Sequence, residues 1–240
     1  MDFGAYDYIV LLIIAVSVLF GIYKGFISSA GSILVTIAAW GCALVFTDDV
    51  ALFLQEKTDF MEQIIHYVQA NEAITDLTLR KTSIYVVSES EIAAAIDSAN
   101  LPVFFKEHIA LNIQNEVFSA VEALGDYFDY TVGAVVLNIG CFVAILIGTL
   151  IAASIAKAAL EAMFKLPALK YVDGLLGGTF GVVRGVFFVY TFFMLMPVVL
   201  MVIPESILTE FLGDITESSI ANVFYENNIL LKYIGGFIKL

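Results

Sequence analysis

The residues best suited to specific chemistry lie close together: Gly177, Phe180, Gly181, Arg184 and Gly185, with Asp173 eleven positions ahead of the arginine. Glycines four apart strip one helix face to bare backbone, so that helix can approach another closely, as packing in lipid requires. An arginine on the same side carries a planar fork of donors suited to an anion. Asp173 returns to nearly the same face, but at about 1.5 Å per residue it lies about 16 Å away along the axis, so the two do not pair on a continuous helix. The expected chemistry is anion contact by Arg184, with a lipid head group or a partner at a membrane interface. The competing expectation is a plain positive anchor.

Other candidates are sparse. His66 and His108 stand alone, with no Asp, Cys or His at ligand spacing, and Cys42 and Cys141 both fall inside apolar runs, where they pack as small apolar residues. No H-E-x-x-H pair, no Ser/His arrangement and no paired buried aspartates are present, so neither an enzyme nor a bound metal or cofactor is expected. Asn138 is the most polar group deep in an apolar run, expected to act as interhelical hydrogen-bonding glue.

These residues sit on elements that composition assigns to a membrane. The chain is 60% hydrophobic and 15% charged, with a mean hydropathy of +0.94, far from a soluble domain. Spanning about 30 Å of hydrocarbon takes about 20 apolar residues, and four runs qualify: Tyr8–Tyr23, Phe26–Thr47, Tyr130–Ala156 and Gly185–Ile203. Arg184 is placed just ahead of the fourth, where its stem can reach water. The fold class predicted is all-α: a polytopic membrane protein of about four spans, with a small helical extracytoplasmic domain inserted between spans two and three. Residues 1–47 and 130–203 form the membrane part, and 204–240 an amphipathic tail.

Lysines and arginines in short loops are retained in the cytoplasm. Lys24 lies between spans one and two, and Lys157, Lys165, Lys170 and Arg184 flank the connection between spans three and four. Both N- and C-termini, with the acidic segment, are therefore expected outside.

Residues 48–129 hold fifteen of the 24 acidic residues against four basic ones, carrying −11 of the net −13. With no basic surface, nucleic acid is not an expected partner. Asp59-x-x-Glu62 and Ser88-x-x-Glu91 read as capping boxes opening short helices, and Pro102 as the start of a longer helix through Leu124, ending near Gly125. Such a segment is expected to rest on the membrane part or on a second copy.

The pattern Asp7, an apolar run, then Gly21-x-x-Lys24-Gly25-Phe26, and later Asp173-x-Leu175-x-Gly177-x-x-Phe180-Gly181-x-x-Arg184-Gly185, resembles the colicin V production protein (CvpA) family. Where Lys24 stands the family usually shows arginine, and where Gly174 stands it often shows a basic residue. The resemblance implies a bacterial inner-membrane protein linked to toxin production or export and to envelope homeostasis, without an assigned biochemical activity. The reading that follows is an accessory or scaffold protein working through the lipid bilayer, self-association or another envelope protein. An oligomeric channel or small-solute transporter is the alternative, and an envelope pH or cation sensor the second alternative.

Overall fold

A computed structural model describes residues 4–115, 121–163, 170–202 and 213–231. Every regular element among the described residues is helical: α1 (Ala5–Lys24), α2 (Phe26–Lys57), α3 (Phe60–Val68), a 3-10 turn (Ala70–Ala73), α4 (Leu77–Lys81), α5 (Glu89–Ser98), α6 (Val103–Asn115), α7 (Leu124–Met163), α8 (Lys170–Val202), α9 over residues 213–217, and α10 (Ser219–Glu226). Four of them, within Ala5–Lys24, Ser28–Lys57, Leu124–Ala159 and Gly174–Leu200, are long and apolar enough to cross a membrane. Leu12, Leu19, Leu34, Val45, Ile151, Ile155 and Leu175 are exposed on them, a surface that lipid covers and water would not tolerate. The chain is an all-α polytopic membrane protein.

Two compact units divide the chain, one within Met1–Thr47, Cys141–Leu195 and Pro204–Leu230, the other within Asp48–Gly140, Met196–Ile203 and Leu231–Leu240. In the first, α1 passes into α2 through Gly25 alone. Its φ of 80° is a backbone state that a Cβ opposes, and its N–H donates to the Gly21 carbonyl at 3.0 Å. The second unit buries Phe105, Ile109, Leu124, Tyr127 and Phe128 completely. Asp129 accepts from the Asn71 N–H at 2.7 Å and from its side-chain amide, tying α7 to the 3-10 turn.

Four helix limits differ from the sequence reading. Asp48 and Asp49 do not stop α2, which runs on to Lys57; carboxylates can end a membrane span without ending a helix, since the backbone ladder is indifferent to them on an exposed face. Asp59 forms no capping box and makes no side-chain cap bond. Its φ of −81° and ψ of 18° depart from the extended geometry of a capping residue, because only Thr58 and Asp59 separate α2 from α3. Ser88 and Glu91 do form theirs: the Ser88 N–H donates to Glu91 at 2.9 Å and the Glu91 N–H to Ser88 Oγ at 3.4 Å.

The helix opened by Pro102 does not reach Leu124. Ala123 instead forms an antiparallel bridge with Ser83, where the Ile84 N–H donates to the Glu122 carbonyl and the Leu124 N–H to Thr82, each at 3.0 Å. Leu124 then begins α7, which takes in Gly125–Asp129 ahead of the expected span start at Tyr130. Finally, α8 passes unbroken through Arg184 from Lys170, so Gly185 is not its beginning. Residues 204–212 and 232–240 of the expected amphipathic tail lie outside the described residues.

Candidate functional site

The glycines of α1 and α8 meet backbone to backbone. A Cβ on Gly21 would collide with the Gly177 carbonyl oxygen, and one on Gly177 with the Gly21 carbonyl oxygen. On Gly177 it would also lie 2.8 Å from the Gly25 carbonyl carbon. One turn further, a Cβ on Gly181 would stand 2.6 Å from the Ser17 carbonyl oxygen and 2.7 Å from Val18 Cα, and one on Gly185 would stand 3.1 Å from Ile14 Cα. Residues 21, 17–18 and 14 thus face 177, 181 and 185 in turn, an antiparallel crossing with no room for a side chain at the 177 and 181 levels and a tight fit at 185. Lipid supplies no hydrophobic force to hold two helices together, so this close dispersion contact holds them instead. Phe180 closes the side of the crossing, 5.3 Å ring to ring from Phe26 at the start of α2.

The crossing fixes Arg184. Its Nε–H donates to Ser17 Oγ at 3.1 Å and its Nη2 to the Ser17 carbonyl at 3.2 Å, while its guanidinium stands 5.0 Å from the centre of the Phe20 ring. Lys24 Nζ lies 5.5 Å from the same ring, so one aromatic face system serves two cations. Seven residues separate Gly177 from Arg184, and seven separate Lys24 from Ser17. The guanidinium is thus anchored about 10 Å inside the end of α1.

Arg184 and Lys24 line a cavity of about 300 Å³ with Lys157 of α7 and with Ser28, Ser32 and Thr36 of α2. Lys157 Nζ donates to the Ser28 carbonyl and to Ser32 Oγ at 2.6 Å each, and to Ser28 Oγ at 3.1 Å. Phe20, Ser154, Leu150, Val35, Ala158 and Phe188 also line it, and no carboxylate is among the described lining residues. Three cations and four hydroxyls on four helices make a pocket that favours an anion.

At the opposite end of α1, Asp7 has a role that the sequence motif gave no hint of. It is fully buried and accepts from the backbone N–H groups of Ser219, Ile220 and Ala221 at 3.1, 2.8 and 2.8 Å. Those are the first three residues of α10, whose unpaired N–H groups and positive dipole end attract a carboxylate. Ser218, at the capping position, turns its hydroxyl back to the Asp214 carbonyl at 2.7 Å instead. Asp7 therefore caps a helix more than 200 residues away in sequence.

The structure brings Gly21, Lys24, Gly25, Gly177, Phe180, Gly181, Arg184 and Gly185 together and keeps Asp7 apart from them. The side chain of Asp173 lies outside the described residues. Asn138 is buried in α7 at 4% exposure and does not line the cavity. Cys42 and Cys141 are free thiols, and no cluster of His, Cys, Asp and Glu able to hold a metal occurs among the described residues.

Ser17 and Ser28 are members that sequence reasoning passed over, and Lys157 entered it only as a base flanking a short connection. One signal for them was present: Ser28, Ser32 and Thr36 recur at i, i+4 and i+8, a hydroxyl stripe on an otherwise apolar helix.

Compared with known proteins, the chain matches the family described as colicin V production protein over residues 6–88 and 109–228. No curated protein and no solved structure matches it.

Proposed function

Because the chain belongs to the colicin V production protein family, we propose that it is a non-enzymatic accessory or scaffold protein of the bacterial inner membrane, serving toxin production or export and envelope homeostasis. The observation that supports this reading is the α1–α8 crossing. Its residues are spent on backbone contact and on fixing one arginine, an arrangement suited to holding a shape rather than to turning over a substrate. In this reading both termini and the acidic segment lie outside the cytoplasm, the segment meets a second copy or another envelope protein, and Arg184 addresses an anionic lipid.

Photo-crosslinking in cells tests it, from positions Tyr67 and Tyr85, which are 85% and 64% exposed. The expected result is one defined adduct, shared by both positions, on a second copy or an envelope protein. Absence of any defined adduct overturns the scaffold role.

The channel or small-solute transporter reading draws support from the basic cavity, since cations lining a pore select for anions. Liposomes reconstituted with the purified chain would then pass small anions in a manner abolished by Lys157→Met. Liposomes as tight as protein-free ones remove that alternative.

A further inference from the structure

We propose that the cavity between α1, α2, α7 and α8 binds a phosphate-type oxyanion, the phosphate of a lipid head group or a free phosphate ester, through Arg184, Lys157 and Lys24 with Ser28 and Ser32 beside them. This rests on the anionic contact assigned above to Arg184 and extends it to a site built from four helices.

Charge carries the first part of the argument. Three basic side chains line one cavity, with no carboxylate among its described lining residues, in a unit whose outer helix faces are apolar. Like charges brought together at low dielectric repel, and an anion among them turns that cost into attraction.

Geometry carries the second. Two of the five N–H donors of an arginine are taken by Ser17, which sets the plane of the guanidinium before any ligand arrives. The rest of the fork belongs to the cavity that Arg184 lines, and a planar fork is the group that matches a phosphate in bidentate fashion. Lys157 is held by the Ser28 carbonyl and the Ser28 and Ser32 hydroxyls; Ser32 donates its own hydrogen to the Ser28 carbonyl at 2.8 Å, and the Ser28 hydroxyl can turn its hydrogen toward an oxyanion. Ordering these groups costs little on binding, because hydrogen bonds within the chain already hold them.

Size and wall chemistry carry the third. About 300 Å³ is the small end of ligand pockets, roughly 300 to 1,000 Å³, enough for a phosphate group with a short substituent. Val35, Leu150, Ala158 and Phe188 give the remaining wall an apolar character, compatible with the glycerol and first methylenes of a lipid. Basic pockets between membrane helices are a recurring seat for such head groups.

The test uses the purified full-length chain and its single tryptophan, Trp40. Trp40 lies one turn beyond Thr36 in α2 and packs edge-on against Phe187 at 4.5 Å between ring centres, which makes its emission a reporter of the cavity. Native mass spectrometry gives a second readout. In one arm phosphatidylglycerol is titrated into protein held in neutral detergent–phosphatidylcholine micelles; in the other, inorganic phosphate is titrated into protein in phosphatidylcholine nanodiscs.

Saturable binding is expected in at least one arm, weakened about tenfold by Arg184→Gln and by Lys157→Met, less by Lys24→Gln, and unchanged by Lys57→Gln at an exposed site. Response in the lipid arm alone identifies a head group; response to inorganic phosphate shows that a free phosphate group suffices. Circular dichroism melting establishes that each variant is folded. Should Arg184→Gln lose its fold with its Ser17 bonds, Lys157→Met and Lys24→Gln decide the matter. No saturable response in either arm overturns the proposal. So does binding that depends on Arg184 but survives Lys157→Met and Lys24→Gln, and that result would leave the scaffold reading standing.

Discussion

The two ends of α1 handle charge in opposite ways. At one end Asp7 is completely buried, and the chain itself supplies its counter-charge as three backbone N–H groups of α10. At the other end Lys24 and Arg184 flank the Phe20 ring, and the cavity they share with Lys157 has no carboxylate among its described lining residues. A buried charge completed from within is architecture, because nothing outside the chain is needed to stabilise it. Three cations gathered on one cavity wall describe a place suited to an anion. The helix joining the two ends is 20 residues long, about 30 Å, so one element carries a finished site at one end and an anion-accepting site at the other.

Breaking the crossing should have the largest effect. Gly181→Leu drives a side chain into the Ser17 carbonyl and Val18 Cα; the helices must separate, at an expected cost of about 3 kcal/mol or more. Unfolding in mixed micelles titrated with dodecyl sulfate reads this, and the basic end should lose its anion response together with the crossing. Gly148 has nothing within 4 Å of its position for a Cβ, so Gly148→Ala should stay within about 1 kcal/mol of the native protein. Equal destabilisation by both variants would mean that backbone contact is not what holds α1 to α8.

Removing the carboxylate at the completed end should cost less. Asp7→Ala orphans the N–H groups of Ser219, Ile220 and Ala221, an expected loss of about 2 kcal/mol, with Asp7→Asn retaining part of it through its amide oxygen. Hydrogen exchange at those three amides should quicken while exchange along the Gly177–Gly185 stretch stays as it was. Unchanged exchange at Ser219–Ala221 would remove the contrast between the two ends.

The smallest effect uses the same device where water reaches it. The N–H groups of Leu79 and Thr78 hold the Asp76 carboxyl below its usual range, and the Ser88 hydroxyl, followed by its N–H, does the same for Glu91. Both carboxylates are favoured in the folded state. Their contribution is therefore complete above the ordinary carboxylate pKa and fades as pH falls through the lowered one, below about pH 4. Protection of the Thr78, Leu79 and Ser88 amides, corrected for intrinsic exchange, should fall there, and Ser88→Ala should weaken the response of α5. A response that is flat down to pH 2 would show that these caps do not hold their helices.

The lipid-spanning character of this chain was legible because it needs only length and apolarity: about 20 apolar residues must become a helix in hydrocarbon, where no other local structure satisfies the backbone. The Gly177, Gly181 and Gly185 spacing likewise announced a close helix face, and Ser88 with Glu91 announced a cap, since both depend on residues within a turn or two of each other. Where helices stop was less legible. Asp48 and Asp49, expected to end the second span, lie inside α2, which runs on to Lys57, and the helix after Pro102 ends short of Leu124 because Ala123 pairs with Ser83, forty residues earlier.

By itself, then, the sequence determined a membrane-spanning all-α chain with one bare helix face and an arginine beside it, because those properties follow from local composition and periodicity. Only the tertiary structure decided what the bare face touches, that Ser17 takes two donors of Arg184, that Lys157 comes to share a cavity with residues some 130 positions earlier, and that Asp7 closes α10. Each of those joins residues far apart along the chain, and no periodicity within a single helix encodes which distant helix will lie against it.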